Sequence, residues 1–313
     1  MAAKAGKRPD IVVVGSSNTD MIVRLKRIPR PGETLLGGAF FSAAGGKGAN
    51  QAVAAARLGG RVALVGRAGR DSLGDQAASL LAAEGIDVAH LARDKALPSG
   101  VALIFVGADG ANSIAVASGA NAAVSVADIQ KARALIAGAR VLVMQLEVPL
   151  RTVSAAAALA FAHKVPVILN PAPAQDLPAS LLRRVAILTP NESEAELLTG
   201  IRVNSPAAAR KAAADLRARG VKTVVITLGA QGALLADGKG ARLIPGFGVK
   251  AVDTTAAGDV FNGALALALV EGRPIDDAVR RANAAAAVSV TRLGAQPSAP
   301  KRRDVERLLA DRT

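Results

Sequence analysis

Asp259 is the residue whose surroundings point most directly to chemistry. It ends a run of small residues, Ala256-Ala257-Gly258, and the apolar stretch Val260–Val270 that follows predicts a helix. Small residues allow backbone N–H groups to converge where a helix begins, and the helix dipole adds positive potential there. This arrangement predicts an anion hole for charge developing on a phosphate, beside a carboxylate that can accept a hydroxyl proton. The alternative interpretation of Asp259 is an ordinary cap of the helix N-terminus.

A second glycine-rich segment, residues 44–51, carries Lys47 and Asn50 at the start of another predicted helix. The two side chains are three residues apart and are expected to face the same side of that helix. The segment is not a Walker A motif, because Gly48 stands where Ser or Thr should follow the lysine. Glycines let a ligand approach the backbone closely. The segment is therefore interpreted as a site for a polyhydroxylated ligand or as the start of a capped surface helix.

Three further polar segments follow predicted strands. Asn18 and Asp20 lie in a segment without the glycine spacing of a dinucleotide site, and they could hold sugar hydroxyls or fill a turn. Asn191 and Glu194, at positions i and i+3 of a helix start, could bind hydrated Mg²⁺ through outer-sphere contacts or compensate the helix dipole. Residues 227–232 include two glycines, which suits a nucleotide crossing the backbone or a simple turn.

The elements that must position these residues alternate between short β-branched runs and alanine-rich stretches. Near-continuous apolar runs are typical of strands in a sheet that is covered on both faces. The predicted strands are Ile11–Val14, Val62–Val65, Val141–Met144, Val167–Leu169, Ala186–Leu188 and Thr223–Thr227. The predicted helices between them are Ala49–Leu58, Leu73–Glu84, Val126–Ala137, Arg151–His163, Glu192–Thr199 and Pro206–Arg219. The alternation predicts an α/β fold with a doubly wound, mostly parallel sheet and helices on both faces, with ligands at the carboxyl ends of the strands.

Two helix-free segments, at about 19–42 and 99–118, interrupt this alternation. The first contains the strand-like runs Met21–Leu25 and Thr34–Phe41; the second contains Gly100–Val106 and Asn112–Ala117, joined by the turn Ala108-Asp109-Gly110. These strands predict a small β-sheet outside the main one, whose uncovered apolar face needs a ligand cleft or another subunit as its partner. Because no linker separates autonomous units, residues 1–313 are predicted to form one domain.

The composition excludes several classes of site. The 313-residue chain has no Cys, Trp or Tyr and only two His, which excludes disulfide frameworks, Cys-ligated metals, thiol nucleophiles and His-rich metal sites. No apolar run is long enough for a signal peptide or a membrane span, and the chain is interpreted as cytoplasmic. A formal charge of +14 would suit nucleic-acid binding, but the basic residues are scattered and the six Phe lie in apolar contexts. The favoured interpretation is an arginine-rich surface without a nucleic-acid partner.

The order and combination of these motifs resemble the ribokinase-like (phosphofructokinase B) family of sugar kinases. The matching segments run in the family's order from about residue 10 to about residue 300: Asn18-Thr19-Asp20, Gly45-Gly46-Lys47-Gly48-Ala49-Asn50-Gln51-Ala52, Met144-Gln145-Leu146-Glu147, Asn170-Pro171-Ala172-Pro173-Ala174, Thr189-Pro190-Asn191-Glu192, Thr227-Leu228-Gly229, Asp253–Asp259 and Gly294-Ala295-Gln296-Pro297-Ser298. One position departs from the pattern. The family has Gly-Ala-Gly-Asp where this chain begins with Ala256, and alanine restricts the backbone there.

The resemblance implies roles position by position. Asp259 would be the general base, and Ala256, Ala257 and Gly258 would form the anion hole. The sugar would be held by Asn18, Asp20, Gly46, Lys47, Asn50, Glu147 and Asp259. The nucleotide pocket would be lined by Asn191, Thr227, Leu228, Gly229, Ala230, Gln231, Gly232, Gly258 and Asn283, while Glu194 would organise Mg²⁺ and phosphate. An activating monovalent cation, usually K⁺, would be bound largely by backbone carbonyls in the loops that contain Asp253, Thr255, Ser289, Arg292, Gly294 and Ser298.

The activity that the resemblance implies is ATP-dependent phosphorylation of D-ribose at O5. Kinases for 2-deoxyribose, a nucleoside or a fructose phosphate are the alternatives within the family, although Asn18, Asp20 and Glu147 favour a small uncharged polyol. A non-catalytic sugar-sensing regulator is the alternative from a different class, against which the intact Lys47, Glu147 and Asp259 argue. The helix-free insertions resemble the family's lid, which covers the sugar and clasps the lid of a second subunit, so a homodimer is implied.

Overall fold

The computed structural model describes residues 8–109 and 111–311, which form a nine-stranded and a four-stranded sheet with flanking helices. The strands are β1 (Ile11–Val14), β2 (Asn18–Arg24), β3 (Ala39–Gly45), β4 (Val62–Gly69), β5 (Leu91–Asp94), β6 (Gly100–Val106), β7 (Asn112–Ala117), β8 (Val141–Met144), β9 (Val167–Leu169), β10 (Ile187–Leu188), β11 (Thr223–Thr227), β12 (Gly232–Asp237) and β13 (Gly240–Pro245). The helices are α1 (Lys47–Arg57), α2 (Ser72–Ala83), α3 (Val126–Lys131), α4 (Arg133–Ala137), α5 (Leu150–Ala162), α6 (Ala179–Leu182), α7 (Glu192–Thr199), α8 (Pro206–Ala218), α9 (Ala257–Val270), α10 (Ile275–Ser289) and α11 (Arg302–Ala310). None of the helices in these ranges has the length and hydropathy needed to cross a bilayer.

The large sheet has the strand order β13-β12-β11-β10-β9-β8-β1-β4-β5. Neighbouring strands from β11 to β5 pair in parallel, whereas β12 and β13 continue the sheet as an antiparallel extension. This confirms the predicted α/β fold with a mostly parallel sheet. Since parallel strands end at the same edge, the loops that follow β1, β8, β10 and β11 are brought together there.

Helices cover both faces of the large sheet, as its apolar strands require. Along β1, Ile11 and Val13 contribute to the core against α1, α2, α9, α10 and α11. Val12 and Val14 point to the opposite face and contribute to the core against α3 to α8. All four β1 side chains are fully buried, so this strand fixes the main-chain path that leads into Asn18.

The small sheet forms the lid, with the strand order β3-β2-β6-β7. Strand β2 pairs antiparallel with β3 and parallel with β6, and β6 pairs antiparallel with β7. The register aligns Phe41, Ile22, Ile104 and Ile114 in one row across the four strands. Because side chains alternate along a strand, this row lies on the same face as Asp20.

Several element boundaries differ from the sequence prediction. The strand predicted at Thr34–Phe41 lies instead at Ala39–Gly45, because Gly37 and Gly38 adopt φ values of 90° and 119° that end extended structure. The single helix predicted at Val126–Ala137 is divided into α3 and α4 at Ala132. Strands β5 and β13 and helices α6, α10 and α11 were not predicted. Gly110 of the predicted lid turn lies outside the described residues, as do both ends of the predicted 1–313 domain.

Candidate active site

An open cleft lies between the lid and the loop before α9, and its lining includes Asp20 and residues 251–255. The Asp259 carboxylate lies in the first turn of α9, after that loop, and the residue is only 4% exposed. Its two oxygens accept hydrogen bonds from neighbouring side chains of α1. Asn50 Nδ2 donates to Oδ2 at 3.0 Å, and Gln51 Nε2 donates to Oδ1 at 3.0 Å. The glycine-rich segment and the Asp259 run, more than 200 residues apart in sequence, therefore meet at one carboxylate.

Burial raises the pKa of Asp259 above its ordinary value. The positive charge of Lys47 and the hydrogen bonds from Asn50 and Gln51 oppose this rise, while the negative charge of Glu147 adds to it. For Lys47, burial disfavours the charged form, but Asp259, Glu147 and Glu194 together raise its pKa. The buried Asp259 carboxylate and the Lys47 ammonium group therefore act on each other's pKa.

The backbone before Asp259 has the geometry of an anion site. Ala256 adopts the left-handed conformation, with φ 58° and ψ 13°, immediately before α9. The N–H of Ala257 donates to the carbonyl of Thr254 at 3.2 Å. Within the described part of the chain, the N–H groups of Gly258 and Asp259 have no acceptor, and a Cβ at Gly258 would meet no atom within 4 Å. Two first-turn N–H groups therefore have no acceptor among the described residues, and the space beside Gly258 is open to an anion that the helix dipole would attract.

Asp20, the third residue of β2, provides a second carboxylate in the lining of the cleft. Its burial, with the negative charges of Glu147 and Asp259, raises its pKa from 3.8 to about 6. Gly45 pairs with Asn18 across β2 and β3, and a Cβ at Gly45 would collide with the Asp20 carboxylate, so a larger residue there would displace that carboxylate. Gly46, with φ 87°, lies against the backbone of Ser17 and Asn18, where a Cβ would also clash.

Glu147 lies in the loop after β8 and links three segments of the site. Its Oε2 accepts hydrogen bonds from Ser16 Oγ at 2.5 Å and from the backbone N–H of Lys47 at 3.0 Å. The first bond joins it to the loop after β1, and the second to the N-terminus of α1. Ser16 was not identified as a site residue from the sequence, although it lies in the polar segment that contains Asn18.

Asn121 is a second residue that the sequence analysis missed. It lies in the 3₁₀ turn Gly119–Ala123 and is almost fully buried. Its Nδ2 donates to Asn18 Oδ1 at 2.7 Å. A Cβ at Gly100 would collide with both of these amides, so the first residue of β6 must be small. No motif marks Asn121, because it reaches the site only through the fold.

The predicted nucleotide-binding residues meet at the ends of β10 and β11. Asn191 and Glu194 form a capping box of α7: Glu194 N–H donates to Asn191 Oδ1 at 2.8 Å, and Asn191 N–H donates to Glu194 Oε2 at 2.9 Å. Burial raises the pKa of Glu194, while the Asn191 N–H and the charge of Lys47 oppose that rise. A parallel bridge joins Asn191 to Thr227, so the two loops are adjacent.

The rest of the predicted nucleotide loop runs from β11 through a 3₁₀ turn at Gly229–Gln231 into β12. Gly229 and Gly232 both adopt positive φ values, 53° and 99°, and backbone atoms of Ile244, Pro245 and Gly246, at the end of β13, occupy the Gly232 Cβ position. Asn283 on α10 donates through Nδ2 to the carbonyls of Ile244 and Pro245 at 3.0 and 3.2 Å. Its amide thereby fixes the end of β13 beside the loop.

Asp253 joins the two loops that were assigned to a monovalent cation. Its Oδ1 accepts from the Thr255 N–H at 2.9 Å, and its Oδ2 accepts from the Gly294 N–H at 2.8 Å. Burial opposes ionisation of Asp253, but the hydrogen bonds from Thr255 and Gly294 lower its pKa overall. The structure thus places an ionised carboxylate where the two loops cross.

The side chains of the other residues assigned to this cation are engaged within the loops. Ser289 Oγ donates to the Ala286 carbonyl at 2.8 Å, and Ser298 Oγ donates to the Ala295 carbonyl at 2.7 Å. Arg292 forms an ion pair with Asp304 at 2.9 Å. The Asp253 carboxylate is therefore the one anionic side chain that this set of residues offers to a cation.

Buried amides and a hydroxyl continue the polar contacts beneath Asp259. They are Gln51, Gln145, Asn170, Thr189 and Asn262, all at most 6% exposed. The segments containing four of them match family motifs, but none of these side chains was assigned a role from the sequence. Polar side chains in an otherwise apolar interior are the sequence signal that could have identified them.

Comparisons with known proteins show the family to which the chain belongs. Residues 8–302 match the sequence profile of the pfkB family of carbohydrate kinases. Over 297 residues the chain is 47% identical to a ribokinase from Haemophilus influenzae, covering 95% of this chain and 97% of that protein. The fold is similar to that of a Thermotoga maritima ribokinase, with TM-score 0.89, 39% identity and coverage of 96% and 99% of the two chains. It is also similar to an Arabidopsis thaliana ribokinase complexed with ribose and ATP, with TM-score 0.90, 34% identity and coverage of 97% and 99%.

Proposed function

Since the chain belongs to the pfkB family of carbohydrate kinases, we propose that it transfers the γ-phosphoryl group of ATP to O5 of D-ribose and forms D-ribose 5-phosphate. The observation that carries this proposal is the position of Asp259. Its buried carboxylate lies beside the free N–H groups that begin α9 and beside the carboxylates of Asp20 and Glu147. One cleft therefore combines a base, an anion site and acceptors for sugar hydroxyls.

In the proposed reaction, Asp259 accepts the proton of the O5 hydroxyl as that oxygen attacks the γ-phosphorus of ATP. A new bond forms between O5 and phosphorus, and the bond from phosphorus to the bridging oxygen of the β-phosphate breaks, so ADP leaves. The N–H groups of Gly258 and Asp259 would donate to the oxygens of the transferred group, where negative charge accumulates. The ammonium group of Lys47 adds positive charge on the same side of the cleft.

The walls of the cleft favour an uncharged sugar. Asn18, Asp20 and Glu147 offer amide and carboxylate groups that bind hydroxyls. Two carboxylates near the same sugar would repel a substrate that already carries a phosphate. This argues against a fructose phosphate as the acceptor and supports ribose over that alternative.

We propose that ATP lies across the loops that end β10 and β11, next to Asn191, Thr227 and the 229–232 turn. Within the described ranges, no group of three His, Cys, Asp or Glu side chains is arranged to hold a metal ion. The capping box of Asn191 and Glu194 suits a hydrated ion that arrives with the nucleotide, held through its water shell. Mg²⁺ bound in this way would neutralise charge on the phosphates.

A monovalent cation, K⁺, is proposed at the crossing of the 253–255 and 289–298 loops. The donor set fits a large, weakly charged ion, because the ionised Asp253 supplies one negative charge and backbone carbonyls supply the remaining oxygens. Bound there, the cation would stabilise the loop that leads into the N–H groups of α9.

The lid is proposed to mediate a homodimer. Its aligned row of Phe41, Ile22, Ile104 and Ile114 extends to the exposed edge strand β7, where Ile114 is 56% exposed. A second copy of the lid is the proposed partner for this apolar row.

We further propose that the protein acts in the cytoplasm, where ATP is available, and that its basic surface has no nucleic-acid partner.

The proposal is tested by the phosphorylation of a panel of sugars with purified protein, ATP, Mg²⁺ and K⁺. D-ribose is expected to give the highest kcat/KM, ahead of 2-deoxyribose, nucleosides and fructose phosphates, and the product is expected to carry phosphate on O5. Asp259→Asn is expected to abolish turnover and to leave ribose binding, measured by calorimetry, nearly unchanged.

Two results would contradict the proposal. A low rank for ribose in the panel would replace it with one of the other acceptors. Near-normal turnover by Asp259→Asn would remove the base from the mechanism, whatever the preferred sugar is.

A further inference from the structure

Gln51 lies directly behind the Asp259 carboxylate and is fully buried, so it cannot touch a substrate in the cleft. Its Nε2 donates to Asp259 Oδ1 at 3.0 Å and to Asn170 Oδ1 at 3.2 Å. Its Oε1 accepts a hydrogen bond from Gln145 Nε2 at 2.5 Å. Both Nε2 and Oε1 of Gln51 therefore have hydrogen-bond partners, and one of these partners is the Asp259 carboxylate.

A backbone carbonyl fixes the direction of this amide. Asn170 Nδ2 donates to the carbonyl of Thr189 at 3.3 Å, and a carbonyl can only accept. Because that bond consumes the NH₂ end of Asn170, its Oδ1 must face Gln51. The NH₂ group of Gln51 must then turn toward both Asn170 and Asp259, which leaves its oxygen for Gln145. The Thr189 carbonyl thus sets the orientation of the Asn170 amide, which sets that of the Gln51 amide beside the Asp259 carboxylate.

Building on the proposed function, in which Asp259 is the base, we propose that Gln51 is a positioning residue for the reaction and that Asn170 acts through it. Gln51 donates to Oδ1 of Asp259 and Asn50 donates to Oδ2, so both oxygens of the carboxylate are restrained. A carboxylate fixed by two N–H donors keeps one defined lone pair directed at the hydroxyl that it must deprotonate.

The same contact favours the ionised form of Asp259. A protonated carboxyl would need an acceptor, whereas Gln51 offers only hydrogens to it. The charged groups that also act on Asp259 are Lys47, Glu147, Asp20 and Glu194, each from a different segment around the cleft. In the proposed function Asp20 binds the sugar, so its protonation changes the KM for ribose. Protonation of Asp259 changes kcat instead, because Asp259 acts in the bound complex.

Gln51→Met removes the amide and keeps a side chain of similar length. We expect kcat to fall about 10- to 100-fold, as for a small displacement of a reacting group, while KM for ribose and ATP changes less than about threefold. The acid limb of the kcat–pH profile, measured at saturating substrates, is expected to move to higher pH. A purely structural role of Gln51 would lower the amount of folded enzyme without moving that limb.

Asn170→Ala tests the second step. If Asn170 acts through Gln51, the double variant Gln51→Met/Asn170→Ala has the kcat of Gln51→Met alone, because the two effects are not additive. If Gln51→Met does not fold, the kcat and the acid limb of Asn170→Ala alone test the positioning role. Thr152→Val is the matched control: Thr152 is fully buried and donates to the Val124 carbonyl at 2.8 Å, remote from Asp259. It is expected to lower the melting temperature and leave the kcat–pH profile unchanged.

Asp259→Asn in the same assay separates this inference from the proposed function. If Asp259→Asn is inactive while Gln51→Met and Asn170→Ala keep the kcat and the acid limb of the unmodified protein, the positioning role is overturned and the base assignment stands. If the effects of Gln51→Met and Asn170→Ala multiply fully in the double variant, the path through Asn170 is overturned. Turnover by Asp259→Asn would overturn both proposals together.

Discussion

Asn121 fixes the orientation of Asn18 by donating through Nδ2 to Asn18 Oδ1 at 2.7 Å. Asn121 is itself held by Ser17, whose N–H donates to Asn121 Oδ1 at 3.0 Å and whose carbonyl accepts from Nδ2 at 3.1 Å. Because the oxygen of Asn18 is occupied, its NH₂ group is the part left to donate to a ligand. A residue 103 positions away thus decides that Asn18 acts as a donor.

Asn121→Ala is therefore expected to weaken sugar binding without removing any group that contacts the sugar. The loss of one orienting hydrogen bond corresponds to a rise in the ribose KM of about tenfold, with kcat little changed. Steady-state kinetics with varied ribose measure both values. Asn204→Ala, at an exposed site, is the control and should match the unmodified protein. A fall in kcat at constant KM would assign Asn121 to a different step.

Asp20→Asn is expected to stabilise the ligand-free protein and to impair ribose binding. The folded pKa of about 6 lies above the ordinary value of 3.8, so the folded state binds the proton more tightly than the unfolded state. The cost of ionising Asp20 is thus absent below about pH 4 and complete above about pH 6. At pH 8 the substitution should raise the free energy of unfolding by on the order of 2 kcal/mol.

Urea denaturation of Asp20→Asn and the unmodified protein at pH 4 and pH 8 measures this difference. The gain in stability should be present at pH 8 and nearly absent at pH 4. Equal gains at both pH values would show that the charge of Asp20 does not cause the effect. The ribose KM of the unmodified protein should also rise as the pH falls through about 6, since protonation removes an acceptor.

Asp253→Asn is expected to weaken activation by K⁺ and to leave activity largely recoverable at high K⁺. The substitution removes the negative charge where the two loops cross but retains an oxygen that can accept from Thr255 or Gly294. The K⁺ concentration for half-maximal activity should rise about tenfold, in line with the loss of one nearby opposite charge. Activity titrated with KCl at constant ionic strength gives this value.

Asp215→Asn is the control for Asp253→Asn, because it makes the same charge change on α8, where Asp215 pairs with Arg219 on the surface. Its K⁺ dependence should equal that of the unmodified protein. An unchanged K⁺ requirement in Asp253→Asn would move the cation site away from these loops.

Ile114→Asp is expected to convert the proposed dimer into monomers. The substitution places a charge in the apolar row of the lid, where an unpaired carboxylate would be buried on association. The dimer dissociation constant should rise about 100-fold or more, as measured by light scattering over a concentration series. Phe161→Asp removes another exposed apolar side chain, at 54% exposure on α5, and should leave the dimer intact. Dimers that persist in Ile114→Asp would exclude this row as the contact.

Periodicity was sufficient to predict the parallel centre of the large sheet but not its edge strands β5 and β13. Buried runs such as Ile11–Val14 have one stable environment, a sheet covered on both faces, and the structure confirms it. The lid strand β3 was predicted several residues too early because its sequence, with Phe40 and Phe41, is equally compatible with strand on either side of Gly38. Pairing with β2 selects the later segment, and pairing depends on residues distant in sequence.

In the candidate site, too, local sequence predicted some residues and missed those that depend on contacts distant in sequence. Asp259 and Lys47 follow glycine-containing segments, so local sequence indicated where chemistry could occur. Asn121 and Ser16 act through hydrogen bonds to other loops, and no local pattern records such a bond. Gln51 lies between these cases: Asn50 and Gln51 are two adjacent amides within an alanine-rich buried helix, a pattern that predicts a buried polar partner without identifying it.

The left-handed backbone of Ala256 limits which residues can replace it before the first turn of α9. With φ 58°, an alanine carries about 1 kcal/mol of backbone strain that glycine would lack, and β-branched or bulky residues would carry more. Ala256→Gly would relieve the strain but would also widen the range of loop conformations in the unbound protein. Gly, Asn and Asp adopt this conformation with the least strain, so they are the residues that position 256 is expected to tolerate best.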